Sequence, residues 1–223
     1  MDTARVYARS QARLLDLAAR MSSSQERTPV PALPGWTVRD TYAHLAGVCA
    51  DTVAGTADPD IGAEWTAGHI EQRRHLDLAA VCERWGADGP AVAGMLRAAP
   101  GFPLVRAALD VWHHEHDIRG ALGLPGGRED AAEVADVLAR GRARGWEPDA
   151  PAVVLVATDA GARWSLGEGE RALVLRATAF ELARMLIGRR SRAQVLAMDW
   201  SGPAGAVADR MNSFPMPTAD LVE

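Results

Sequence analysis

Lysine is absent from the 223 residues, so all 24 basic side chains other than histidine are arginine. Together with abundant alanine and glycine, this bias points to a GC-rich genome and speaks of the host rather than of mechanism. Cysteine is scarce. Cys49 and Cys82 are the only two, and neither has a CxxC partner. That excludes a disulfide framework, and both positions fall in helical apolar patterns, where buried thiols are expected. Long hydrophobic runs are missing: "PAVVLVA" falls far short of the roughly 20 residues a membrane span needs. A basic field is missing as well, since the net charge is −5 and the isoelectric point about 5.7, which excludes nucleic acid as an expected partner. The start, "MDTARVYARSQARLL", lacks the apolar segment of an export signal, so a cytoplasmic location is expected. There is no internal repeat and no low-complexity tract.

An apolar content of 48% suffices for a packed core. Residues 3–21 repeat apolar positions at helical spacing, and serines and prolines then break the pattern. Thr37 with Asp40 three residues on approximates a capping box, which predicts a second helix from Val38 to about Gly55. A third helical segment is expected from about Ala67 to Arg84, resuming after "GADGP" as "AVAGMLRAA". The fourth should run from near Leu104 to about Gly123, where "LPGG" stops it. Four such helices with short connections predict an antiparallel bundle over residues 1–125. Beyond it, "DAAEVADVLARGRARG" reads as a helix and "PAVVLVATDAGARWSLGEGERALVLRA" as two or three strands. Thr178 and Glu181 cap a further helix that ends at Gly188. Residues 129–223 are therefore expected to form a small second domain, giving an α+β chain.

The stretch "DVWHHEHD", residues 110–117, carries the densest chemistry. Leu104, Ala107, Val111, Ile118 and Leu122 define the core stripe of its helix. At 100° per residue His114 falls about 50° from the stripe's centre, whereas His113 and His116 fall about 150° away and are expected to face solvent. Asp110 and Asp117 project along the same flank as His114. Metal sites in helix bundles pair such residues with a side chain from a facing helix. His44 is the candidate there, on the flank of a stripe formed by Val38, Tyr42, Leu45 and Cys49. A His, Asp, His set leaves a coordination position open, as catalytic zinc sites do. Periodicity alone leaves open whether these histidines bind a metal or are simply solvated or satisfied in the core. Glu115 points into the core by the same wheel, with Arg119 four residues on to neutralise it, a pairing that serves structure as readily as chemistry.

"PGWTVRDTYAHLAG", followed by "DVWHHEHDIRGALGLPG" at residues 110–126, resembles the mycothiol-dependent maleylpyruvate isomerase family, whose N-terminal half is a DinB-like four-helix bundle. "AFELARMLIGRRS" is similar to that family's C-terminal helix with its Gly-Arg ending. The resemblance implies a divalent metal, zinc by family habit, held by His44, Asp110 and His114. The family's acid is commonly glutamate, and Asp110 is one methylene shorter. Asp117 matches the aspartate that follows the histidine by three positions, implying that it orients a ligand.

The same resemblance implies the chemistry. A divalent metal with an open position acidifies a coordinated thiol at neutral pH, and the thiol would be mycothiol, the small thiol of actinobacteria. The thiolate adds to an electrophile; isomerisation follows if it is expelled and S-transfer if it stays. An anionic substrate calls for a cation, with Arg73, Arg119 and Arg189 as candidates. The alternative is a non-catalytic metal-binding or ligand-sensing protein of the same fold.

Overall fold

The computed structural model describes residues 2–58, 60–99, 104–169 and 172–223. They divide into two compact units, Asp2–Gly126 and Gly127–Val222.

The first unit is helical. α1 (Thr3–Ala18) is followed by a short α2 (Ser23–Glu26), then α3 (Val38–Ala54), α4 (Ala63–Gln72), α5 (Leu78–Ala98) and α6 (Leu104–Ala121). α3 starts where the capping box predicts: Asp40 N–H donates to Thr37 Oγ1 at 3.2 Å and Thr37 N–H to Asp40 Oδ2 at 2.9 Å. It stops at Gly55, whose φ of +72° is a left-handed conformation that glycine adopts without strain. α1, α3, α5 and α6 pack around one core in which Leu14, Tyr42, Trp85, Leu96, Val111 and Ile118 are fully buried. Its two tyrosines and Trp85 place their polar ends on partners: Tyr42 Oη donates to the Leu14 carbonyl at 2.8 Å and Trp85 Nε1 to Tyr7 Oη at 3.1 Å.

The expected third helix over 67–84 is not one helix. α4 ends at Gln72 and α5 begins at Leu78, capped by Asp77 accepting from Ala80 N–H at 2.8 Å. Arg39 on α3 spans the break: its guanidinium donates to the carbonyls of Arg73, Arg74 and Leu76. Conversely, "GADGP" does not interrupt α5, which runs through Pro90. Gly89 lets α1 approach there: a Cβ would sit 2.1 Å from the Gln11 amide, which itself donates to the Trp85 carbonyl at 2.8 Å.

The second unit contains α7 (Ala131–Arg144), β1 (Val153–Ala157), β2 (Arg163–Leu166), β3 (Leu173–Ala177), α8 (Ala179–Ile187), α9 (Arg192–Ala197) and the two-residue β4 (Asp199–Trp200). The sheet order is β2-β1-β3-β4, with β1 parallel to β3 and the other pairs antiparallel. The chain is therefore α+β. Central β1 is the apolar run "VVLVA", and α7 packs against α8. No helix among the described residues is long and apolar enough to cross a membrane.

Candidate metal centre

α3 and α6 pack side by side and deliver three donor groups to one point. His44 comes from α3; Asp110 and His114 come from α6, a turn apart on one flank. One donor atom from each lies within 4.8 Å of the other two. Asp110 Oδ1 is 3.3 Å from His114 Nε2, and Asp110 Oδ2 is 3.5 Å from His44 Nε2. The imidazoles are buried and stand edge to face with centroids 5.3 Å apart, while the Asp110 side chain keeps 28% of its surface. Trp36, just before the α3 cap, lies over His44 at 5.1 Å and His114 at 6.5 Å between centroids.

This donor set fits a divalent ion. Ligand atoms each about 2.1 Å from a tetrahedral zinc stand about 3.4 Å apart. Each Asp110 oxygen is separated from one imidazole by such an edge. Asp110 Oδ2 is buried and accepts no hydrogen bond, an arrangement that costs free energy unless a cation or proton satisfies it. Burial acts to raise the Asp110 pKa, but the adjacent His114 and His44 outweigh it and hold the carboxyl far below the usual carboxylate range. Burial likewise acts to lower His114, and Asp110 and Asp117 reverse that, pushing it up to about 9. The pocket is built for positive charge.

A second layer of polar groups contacts the two imidazoles. Asp117, fully buried, accepts from His114 Nδ1 at 2.9 Å, which leaves Nε2 aimed at Asp110. His44 has its own neighbour, which the sequence reading missed. His69 on α4 places Nδ1 3.2 Å from His44 Nδ1, and its Nε2 lies 3.1 Å from Asp51 Oδ2. Trp65 Nε1 donates to the same Asp51 oxygen at 2.6 Å. Burial first, then the charge of His44, lowers the His69 pKa, with Asp51 opposing. The signal for His69 lay in its i+4 spacing from Trp65, hidden because α4 was merged with α5.

His113 and His116 do not face solvent as the helical wheel predicts; they are 3% and 1% exposed. The wheel assumed one covered face, whereas α6 is covered on both. Trp112 meets the rings of His113 and His116 edge on at 4.9 and 4.4 Å, and the backbone closes over His116 at Gly126, where a Cβ would lie 2.3 Å from Nδ1. Glu115 is fully buried as expected. It accepts from Arg119 Nε at 3.0 Å and also from Arg13 Nε and Nη2, each at 2.7 Å.

Of the candidate cations, Arg119 is engaged by Glu115 and by the Pro125 carbonyl. Arg73 donates to the His69 carbonyl at 3.2 Å and lines a cavity of about 290 Å³ with Arg84 and Asp88. Arg189 follows the Gly188 cap of α8 in the second unit. Cys49 is buried, but Cys82 is only partly so, contrary to expectation. Burial pushes their thiols up to about 11 and about 12, which keeps both protonated at neutral pH.

Two solved structures share the fold. A mycothiol-dependent maleylpyruvate isomerase is 15% identical with a TM-score of 0.54, and a histidine-to-alanine mutant of a protein so named is 16% identical with a TM-score of 0.58. Each match covers 84% of this chain and 88% of the other. Comparison with curated proteins found no match. Residues 7–119, which include the whole donor set, match the model described as the mycothiol maleylpyruvate isomerase N-terminal domain, and the chain belongs to that family.

Proposed function

We propose that the chain is a divalent-metal-dependent enzyme that activates a small thiol, mycothiol, for isomerisation of a small electrophile or for S-transfer to it. The observation that carries this reading is the convergence of His44, Asp110 and His114 around a buried carboxylate oxygen with no hydrogen-bond partner. Family membership and the names of the two structural neighbours supply the thiol and the reaction class.

A divalent ion would be held by His44, Asp110 and His114 and would supply Lewis acidity that favours the thiolate form of the small thiol. The protein's own groups do the rest. Asp117 keeps a proton on His114 Nδ1, so that Nε2 presents its lone pair to the centre. Trp36 packs beside both imidazoles, and it also lines a groove of about 720 Å³ with Asp40, Thr66, Glu71 and Arg74. Those side chains suit a polar thiol lying beside the centre. Neither cysteine competes as nucleophile, given the raised pKa of each thiol. In the substrate, sulfur adds to an electrophilic carbon and turns the adjoining double bond into a single bond that rotates; expulsion of the thiolate restores the double bond.

The test is metal analysis of the purified protein followed by mycothiol-dependent turnover of maleylpyruvate and of activated electrophiles, in wild type and His114→Ala. The reading expects bound metal and turnover in the wild type and loss of both in the variant. Bound metal with no thiol chemistry in either protein would leave a metal-binding or ligand-sensing protein in its place.

A further inference from the structure

The hydrogen-bond chain behind His44 allows one arrangement of protons that suits a metal. Asp51 is a carboxylate and can only accept, so the His69 Nε2 facing it at 3.1 Å must donate. In a neutral His69 the proton on Nε2 leaves Nδ1 as an acceptor. Two ring nitrogens 3.2 Å apart share one proton, so His44 Nδ1 donates to His69 Nδ1. The remaining nitrogen of His44, Nε2, then carries the free lone pair, and it is the atom that faces Asp110. His114 reaches the same state through Asp117 directly; His44 reaches Asp51 through an intervening imidazole.

The seat for that imidazole is built into the helix that carries His44. Gly47, one turn beyond His44, has no Cβ, and a Cβ there would come within 2.3 to 2.6 Å of three His69 carbons. The ring therefore lies directly on the α3 backbone. Trp65 closes its other side edge to face at 4.3 Å and shares Asp51 as acceptor, and His69 is left 2% exposed. We propose that His69 is a positioning residue, with Asp51 behind it and Gly47 making room for it, that fixes the His44 proton on Nδ1 and thereby turns Nε2 into a metal ligand. The proposal rests on the metal-centre reading above.

Two measurements on the full-length protein test it. In zinc-loaded wild type, nitrogen-15 spectra of the imidazoles should show His44 protonated at Nδ1 and bound through Nε2, with His69 protonated at Nε2. A His69 protonated at Nδ1, or a His44 bound through Nδ1, overturns the proposal without any variant. The second measurement compares zinc affinity by chelator competition, and the visible absorption of the cobalt form, for His69→Phe and His69→Asn. Phenylalanine keeps a buried ring but offers no acceptor, and about 10–100-fold weaker zinc binding with a changed cobalt spectrum is expected. Asparagine restores an oxygen near the Nδ1 position and should recover most of the affinity and the spectrum. Wild-type affinity and spectrum in His69→Phe sink the proposal alone, and so do equal losses in both variants, which would mark mere packing. A wild type that takes up no ion sinks the metal-centre reading as well, so the two failures are distinguishable.

Discussion

Asp110 Oδ1 lies 3.3 Å from His114 Nε2 across a single turn of α6, and its other oxygen faces His44 on α3. Asp110 thus joins the two imidazoles, and Asp110→Ala should strip the protein of metal. The loss should exceed the roughly 10–100-fold typical of groups behind the ligands. Asp110→Glu adds a methylene, keeps the charge and should retain the ion. Metal content after gel filtration, with chelator competition, reads both variants; stoichiometric metal in Asp110→Ala would remove Asp110 from the donor set.

His113 and His116 flank the site in sequence but are buried against Trp112 on another face of α6. Changing both to alanine should leave metal content intact and lower stability by about 2–4 kcal/mol, the scale of emptied core volume. Denaturant unfolding and metal analysis of the same preparation separate the two effects. Loss of metal at unchanged stability would contradict this assignment.

Glu115 holds two arginines from two helices, Arg13 on α1 and Arg119 on α6. Glu115→Ala leaves both without their buried counter-charge and should cost about 3 kcal/mol, the lower end for a broken buried pair because both arginines retain some solvent contact. Arg119→Met should destabilise less, since Arg13 remains, and should leave KM for an anionic substrate unchanged. A raised KM at wild-type stability would instead place Arg119 at the substrate.

The convergence of His44, Asp110 and His114 was legible because the three residues obey local rules. Asp110 and His114 are set a turn apart by helix geometry, and Thr37 and Asp40 fix where α3 begins and hence which way His44 points. What stayed hidden depends on long-range contacts. The α4–α5 break is spanned by Arg39, a residue on another helix. The burial of His113 and His116 answers to a second covered face that a single-stripe wheel does not contain. His69 was lost with the helix boundary that positions it. Its place beside His44 further requires the missing Cβ of Gly47, which no periodicity in α4 reveals.

Cys49 and Cys82 give the last prediction. Burial raises both thiols above the ordinary value of 9, to about 11 and about 12. A raised folded-state pKa contributes stability that is fully present below the unfolded pKa and is lost as pH rises through the folded one. The wild type should therefore lose stability between about pH 9 and pH 11–12 in part through these thiols. A Cys49→Ala, Cys82→Ala double variant should start lower at neutral pH by about 1–2 kcal/mol for lost packing. The gap should narrow as the pH climbs, because only the wild type has thiols to ionise. Melting temperatures from pH 7 to 11 check the convergence, and a gap that stays constant would show that burial does not shift the thiols. At pH 7.5 the same variant should keep thiol-dependent turnover within a few-fold of wild type, because the nucleophile comes from the small thiol and neither protein sulfur is ionised there; abolished turnover in a folded, metal-loaded variant would hand the nucleophile's role to the protein.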